Sequence, residues 1–167
     1  MLSIGIITAS DKGSKGERVD TSGPLIEEIL KDLGAVVKEY AILPDERDKL
    51  ADKMKYMCDE LKVDLIFTTG GTGFSPRDVT PEATLDVIER NAPGISEAIR
   101  MKSLSITPKA MLSRAVAGIR KQTLIINLPG SPKGVRESIE VILPALSHGI
   151  GILKGIDGEC GNDHHHK

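Results

Sequence analysis

The run Thr69-Gly70-Gly71-Thr72-Gly73-Phe74-Ser75-Pro76-Arg77-Asp78 concentrates the residue types that bind anions. Glycines let backbone N–H groups approach an anion closely, and threonine hydroxyls add donors. A phosphate or another anionic ligand is the natural guest. The run is no Walker A loop, because the GxxxxGK(S/T) pattern occurs nowhere in the chain. Nor is it the GxGxxG dinucleotide fingerprint, since Ser75 and Pro76 stand where the last glycine is required. Two carboxylates, Asp45 and Asp78, each follow an apolar run by a few residues. Carboxylates beside a phosphate site need a cation between them, and Mg²⁺ held by one or two carboxylates plus substrate phosphates is the usual arrangement. Helix capping competes for the same residues, because Asp45 precedes a helical pattern and Asp78 precedes Thr80-Pro81. Spacing alone leaves both uses open.

The remaining polar groups say less. Ser113-Arg114 and Ile119-Arg120-Lys121 offer donors and charge, and arginine grips phosphate bidentately. Each is as well explained by a solvated surface. Cys160 with His164, His165 and His166 has soft-metal donors, but at a chain end an expression remnant is the plainer expectation. His148 near a helix end reads as a packing or dipole-favoured group. Cys58, on the apolar side of a helical pattern, reads as a buried thiol, and neither cysteine belongs to a CxxC pair.

These loops need elements to hold them. Leu2 to Thr8, Ala35 to Leu43, Val63 to Thr69 and Thr123 to Leu128 read as strands, rich in β-branched and apolar residues. Between them lie helical patterns: Pro24 to Gly34, Arg47 to Leu61, one opening at Thr80-Pro81, and Val135 to Leu146. Ser10 to Ser22 is too hydrophilic for core, and Ala92 to Gln122 alternates poorly, as short helices and a hairpin would. Strands alternating with helices predict a three-layer α/β/α fold with a mostly parallel central sheet. Ligands of such sheets bind beyond the carboxyl ends of the strands. There stand Ser10 and Asp11, Asp45, the glycine-rich run, and Leu128-Pro129-Gly130.

Composition removes whole classes of function. The 167 residues fit one domain, expected over 1–154, followed by a polar, His-rich tail from 155 to 167. The net charge of -2 argues against a protein that coats nucleic acid. Aromatics make up 2%, too few to stack single-stranded bases. No apolar run approaches a membrane span, and the start lacks the features of a signal peptide, so a cytoplasmic protein is expected. Phe74 is the one aromatic in a candidate loop, and packing on the core is its simplest role.

Together, Thr68 to Thr84 (TTGGTGFSPRDVTPEAT), Ala110 to Gly134 (AMLSRAVAGIRKQTLIINLPGSPKG) and Pro44-Asp45-Glu46 resemble the MogA/MoaB family of molybdenum-cofactor biosynthesis proteins, which includes the gephyrin G domain. The resemblance runs from about residue 1 to 150. It implies an α/β/α fold, usually trimeric, that transfers AMP from ATP to molybdopterin with release of pyrophosphate and hands the product to a molybdate-insertion protein. By motif, Asp45 and Asp78 match the two acidic residues needed for catalysis, here expected to hold Mg²⁺. Ser10, Asp11, Gly70, Gly71, Thr72, Gly73, Leu128, Pro129 and Gly130 match the nucleotide site. Ser103, Ser113, Arg114 and Asn127 match the pterin and phosphate side. Two other readings share the fold: a non-catalytic pterin-binding paralogue, and a pyrophosphatase of pyridine nucleotides.

Overall fold

The computed structural model describes residues 1–156, so Cys160 and the three consecutive histidines lie outside the described residues. The chain runs β1 (Leu2–Ala9), a short α1 (Asp11–Ser14), α2 (Ser22–Lys31), β2 (Ala35–Leu43), α3 (Arg47–Asp59), β3 (Leu65–Thr69) and α4 (Thr80–Leu85). It continues through β4 (Arg90–Asn91), α5 (Pro93–Leu104), a 3₁₀ turn (Pro108–Leu112), β5 (Ala117–Arg120), β6 (Thr123–Leu128) and α6 (Pro132–Leu153).

The six strands form one sheet in the order β2-β1-β3-β6-β5-β4. The first four are parallel, and β5 and β4 are added antiparallel at one edge. Side chains of alternate strand positions point to opposite faces, and each face has its own core. Ile4, Ile6, Leu65, Phe67 and Ile126 meet buried residues of α2, α5 and α6. Ile7, Ile66 and Ile125 meet Leu50, Met54 and Met57 of α3. With both faces covered, the central strands have no polar side, which is why they read as continuous apolar runs. The expected three layers are present.

The differences are local. The poorly alternating stretch holds the twelve-residue α5, whose buried positions are only Ser96 and Ile99. Too few apolar residues face inward there to print a clear period. The last helix runs from Pro132 to Leu153, with Pro144 inside it, rather than from Val135 to Leu146. His148 is therefore exposed more than a turn before the helix end, where the dipole no longer favours it. Cys58 is buried as expected, and burial pushes its thiol up to about 11. Among the described residues no helix is long and apolar enough to cross a membrane.

Candidate active site

The strand order sets where a ligand can enter. From β1 the chain moves outward to β2 and then returns to β3 on the other side of β1. The loops after β1 and β3 therefore diverge, and the crevice between them is the switch point of the sheet. A cleft of about 510 Å³ opens there, bordered by Ser10, Asp11, Asp45, Gly70, Gly71, Asp78 and Gly130. Those seven come from four loops that the sequence places far apart.

Two of the glycines are required by space as well as by backbone angle. Gly70 has φ +89, and a Cβ there would stand 2.6 Å from the Ala9 carbonyl oxygen. Gly71 has φ +69, and its Cβ would stand 2.4 Å from Thr80 Oγ1 and 3.1 Å from Asp45 Oδ1. The loop is pinned from outside as well. Thr69 Oγ1 donates to the Pro129 carbonyl at 2.6 Å, and Thr80 Oγ1 donates to the Gly70 carbonyl at 2.9 Å.

The acidic residues are linked. Asp11 N–H donates to Asp45 Oδ2 and Asp45 N–H donates to Asp11 Oδ1, both at 3.0 Å. Arg77 donates to both Asp11 oxygens, at 3.0 and 2.8 Å. The Arg77 fork holds the Asp11 carboxyl down near 2. Asp45 is moved the other way: burial raises it, and the nearby charges of Asp11 and Asp78 add to the effect. Its Oδ1 faces Gly71, while Asp78 Oδ2 accepts from Ser75 N–H at 3.0 Å. Neither aspartate caps a helix. The caps are Glu46 and Val79, and neither makes a side-chain capping bond.

A second cleft of about 500 Å³ lies on the far side of the same loop. Thr72, Gly73, Ser103, Ser113 and Pro129 border it, with Ile99, Ile106 and Leu112 as apolar wall and Lys109 and Lys133 as cations. The glycine-rich loop is the ridge between the clefts: Gly70 and Gly71 face one, Thr72 and Gly73 the other.

Residues 5–148 match the model of a family described as probable molybdopterin binding domain. The chain belongs to that family. The molybdopterin adenylyltransferase of Helicobacter pylori J99 is 46% identical over 156 residues, covering 92% of this chain and 89% of that protein. The protein of the same name from Escherichia coli K12 is 42% identical over 155 residues, covering 89% of this chain and 80% of that one. The solved structure of the molybdopterin biosynthesis enzyme MoaB from Thermus thermophilus superposes with a TM-score of 0.88 at 48% identity, covering 93% of this chain and 98% of that one.

Six residues assigned by motif are placed differently from expectation. Thr72, Gly73 and Pro129 border the second cleft rather than the first, the first two because the chain crosses the ridge between Gly71 and Thr72. Leu128 is fully buried and meets the loop only through its carbonyl, which accepts from Gly70 N–H at 3.3 Å. Asn127 is 1% exposed; its amide donates to Thr68 and Thr84, both at 2.9 Å, and accepts from Val116 N–H. Arg114 donates to the carbonyls of Gly73 and Asp78, both at 2.8 Å, and pairs with Glu82. It braces the loop from behind instead of reaching into a cleft. Asn127→Leu is accordingly expected to lower stability by about 1–3 kcal/mol, the cost of stranding a buried donor. The KM for a pterin substrate is expected to stay within about twofold, a change too small for a lost hydrogen bond. Thermal denaturation alongside steady-state kinetics checks both, and a large rise in KM at unchanged stability would refute the placement.

Other cleft residues carried no signal in the sequence. Lys12, Arg18, Asp20 and Ser22 border the first cleft, although their stretch read as a polar connection. Asp20 accepts from Thr8 Oγ1, from Tyr40 OH and from the backbone of Ser22 and Gly23. Ser22 is buried and donates to the Gly130 carbonyl at 2.8 Å across 108 residues. Phe74 is 68% exposed, so it does not anchor the loop on the core.

The donor set suits Mg²⁺ rather than a caged metal. Among the described residues no group of three or more metal-ligating side chains is assembled. Asp45 and Asp78 each turn an oxygen toward the glycine ridge, at 3.1 and 2.9 Å from where the Cβ atoms of Gly71 and Gly73 would be. Mg²⁺ retains several waters and accepts one or two carboxylates plus substrate phosphates.

Proposed function

We propose that this chain transfers AMP from ATP to the terminal phosphate of molybdopterin, with ATP in the first cleft and the pterin in the second. The observation that carries the reading is the pair of clefts meeting at one glycine ridge. A reaction joining two phosphorylated molecules needs two sites whose phosphate ends converge. The pterin phosphate oxygen attacks the α-phosphorus and forms the new P–O bond. The bond from that phosphorus to the oxygen bridging toward the β-phosphate breaks, and pyrophosphate leaves with the electron pair. The nucleophile is already an anion, so no strong base is required.

What the reaction needs is two anions held together and charge stabilised on the leaving group, which positioning and preorganised donors supply. Gly71 and Gly73 would bring backbone N–H groups to the phosphates, and Lys12 and Arg18 would meet the triphosphate. Asp45 and Asp78 would hold Mg²⁺. When bound, Mg²⁺ supplies charge to the α-phosphate and to the departing pyrophosphate. The apolar wall of the second cleft suits the body of a pterin, with Ser103 and Ser113 as polar contacts. A homotrimer in the cytoplasm, passing its product to a molybdate-insertion protein, completes the reading.

Pyrophosphate release tests it. The purified chain is mixed with ATP, Mg²⁺ and molybdopterin, and each component is then omitted in turn. Release is expected only with all three. Pterin binding without any release would overturn the transfer and leave a pterin-binding protein.

A further inference from the structure

Arg77 lies in the glycine-rich loop, and its side chain is 58% exposed at the cleft edge. Exposed ion pairs contribute little to stability, so the use of this one lies elsewhere. Its Nε and one terminal nitrogen take the two oxygens of Asp11 separately, at 3.0 and 2.8 Å, a planar fork on a planar carboxylate. The oxygen at 2.8 Å also accepts from the Asp45 N–H, and the Asp11 N–H in turn donates to Asp45 Oδ2. Both Asp11 oxygens are thus engaged by the protein itself.

Asp45 depends on that arrangement. It sits in the bend between β2 and α3, and the hydrogen bond to its carboxylate comes from Asp11 N–H. Asp11 opens a helix of four residues, too short to hold its own shape. The fork from Arg77 fixes that helix, and the helix fixes the Asp45 carboxylate with Oδ1 toward Gly71. The three residues come from the loops after β1, β2 and β3, with sequence separations of 34 and 66. We infer that Arg77 is a positioning residue for AMP transfer, acting on Asp45 through Asp11. The inference rests on the adenylyl-transfer reading for its activity arm, and it removes Asp11 from the groups that contact nucleotide directly.

The test is a double-mutant cycle of Arg77→Gln and Asp11→Asn, with kcat and both KM values measured for each variant. Each single change is expected to lower kcat roughly 10- to 100-fold, the scale of a small misplacement in a reacting site, with both KM values within about twofold. The double variant is expected to be no slower than the worse single. Losses that multiply, or a large rise in the KM for ATP in Arg77→Gln, would mean that Arg77 meets a phosphate itself and would overturn the inference. Hydrogen exchange of the Asp45 N–H gives a readout independent of turnover: protection is expected to fall in both single variants, and unchanged protection would overturn the relay. Absence of transfer in the unmodified chain would defeat the adenylyl-transfer reading alone, and amide exchange would still decide whether Arg77 orders Asp45.

Discussion

Asp45→Asn and Asp78→Asn are each expected to lower AMP transfer by roughly 10²–10³-fold at saturating substrates, the cost typical of losing one preorganised electrostatic partner. The substitution removes charge and leaves the fold's own contacts in place. In Asp45→Asn the amide oxygen can still accept from Asp11 N–H, and in Asp78→Asn it can still accept from Ser75 N–H. In Asp45→Asn the atom facing Gly71 changes from an anionic acceptor to a neutral donor; in Asp78→Asn the ridge-facing oxygen keeps the Ser75 bond and loses its charge. That should defeat Mg²⁺ while leaving pterin binding largely intact. Stability should move little, and for Asp45 the sign favours the variant. Burial and like charge raise the Asp45 carboxyl above its usual range, so its charged form at neutral pH opposes folding. A neutral Asn removes that opposition, as happens where function is held at the expense of stability. If the two aspartates share one cation, the double variant will be little worse than either single one. Pterin affinity lost with transfer unaffected at saturation would defeat the assignment.

The layers of the fold and the centre of the site were legible because their causes are local or periodic. Strand runs such as Val63 to Thr69 are apolar because both faces are covered, and loops after parallel strands gather at one edge whatever their sequence. Asp45 and Asp78 could be placed on that edge, but only the structure shows that neither caps a helix, the caps being Glu46 and Val79. Contacts across the chain left no local trace. Ser22 sits in a polar stretch and is buried by a loop 108 residues away. Asn127 and Arg114 lie in motifs that matched the substrate side, yet both brace backbone from behind. A motif records which residues a site requires. It does not record whether a residue faces the ligand or holds the one that does. The expected end of α6 at Leu146 was a turn and more short, because beyond it the helix has a single buried apolar residue, Ile150.

Gly70→Ala is expected to abolish transfer and to lower stability by about 2–5 kcal/mol, combining left-handed backbone strain of ~1–2 kcal/mol with overpacking of ~1–3 kcal/mol. The two parts can be separated within this chain. Gly34 also has positive φ, at +74, but a Cβ there would meet nothing within 4 Å. Gly34→Ala therefore reports the strain alone, about 1–2 kcal/mol, with transfer unchanged. At Gly70 the new methyl meets a backbone carbonyl at 2.6 Å, that of Ala9, whose strand pairs with both β2 and β3. A side chain could rotate away, but a carbonyl at the end of a central strand cannot. The loop must give instead. Retreat is resisted from the other side, where Gly70 N–H donates to the Leu128 carbonyl and Thr69 Oγ1 to the Pro129 carbonyl. The displacement would pull the Gly70 carbonyl from Thr80 Oγ1 and carry Gly71 off Asp45, opening the ridge on which both clefts depend. Thermal denaturation and pyrophosphate release, measured on both variants together, decide it. Equal stability losses with transfer retained in Gly70→Ala would show that the ridge can shift freely, and that close packing of the loop against β1 is not what aligns the two substrates.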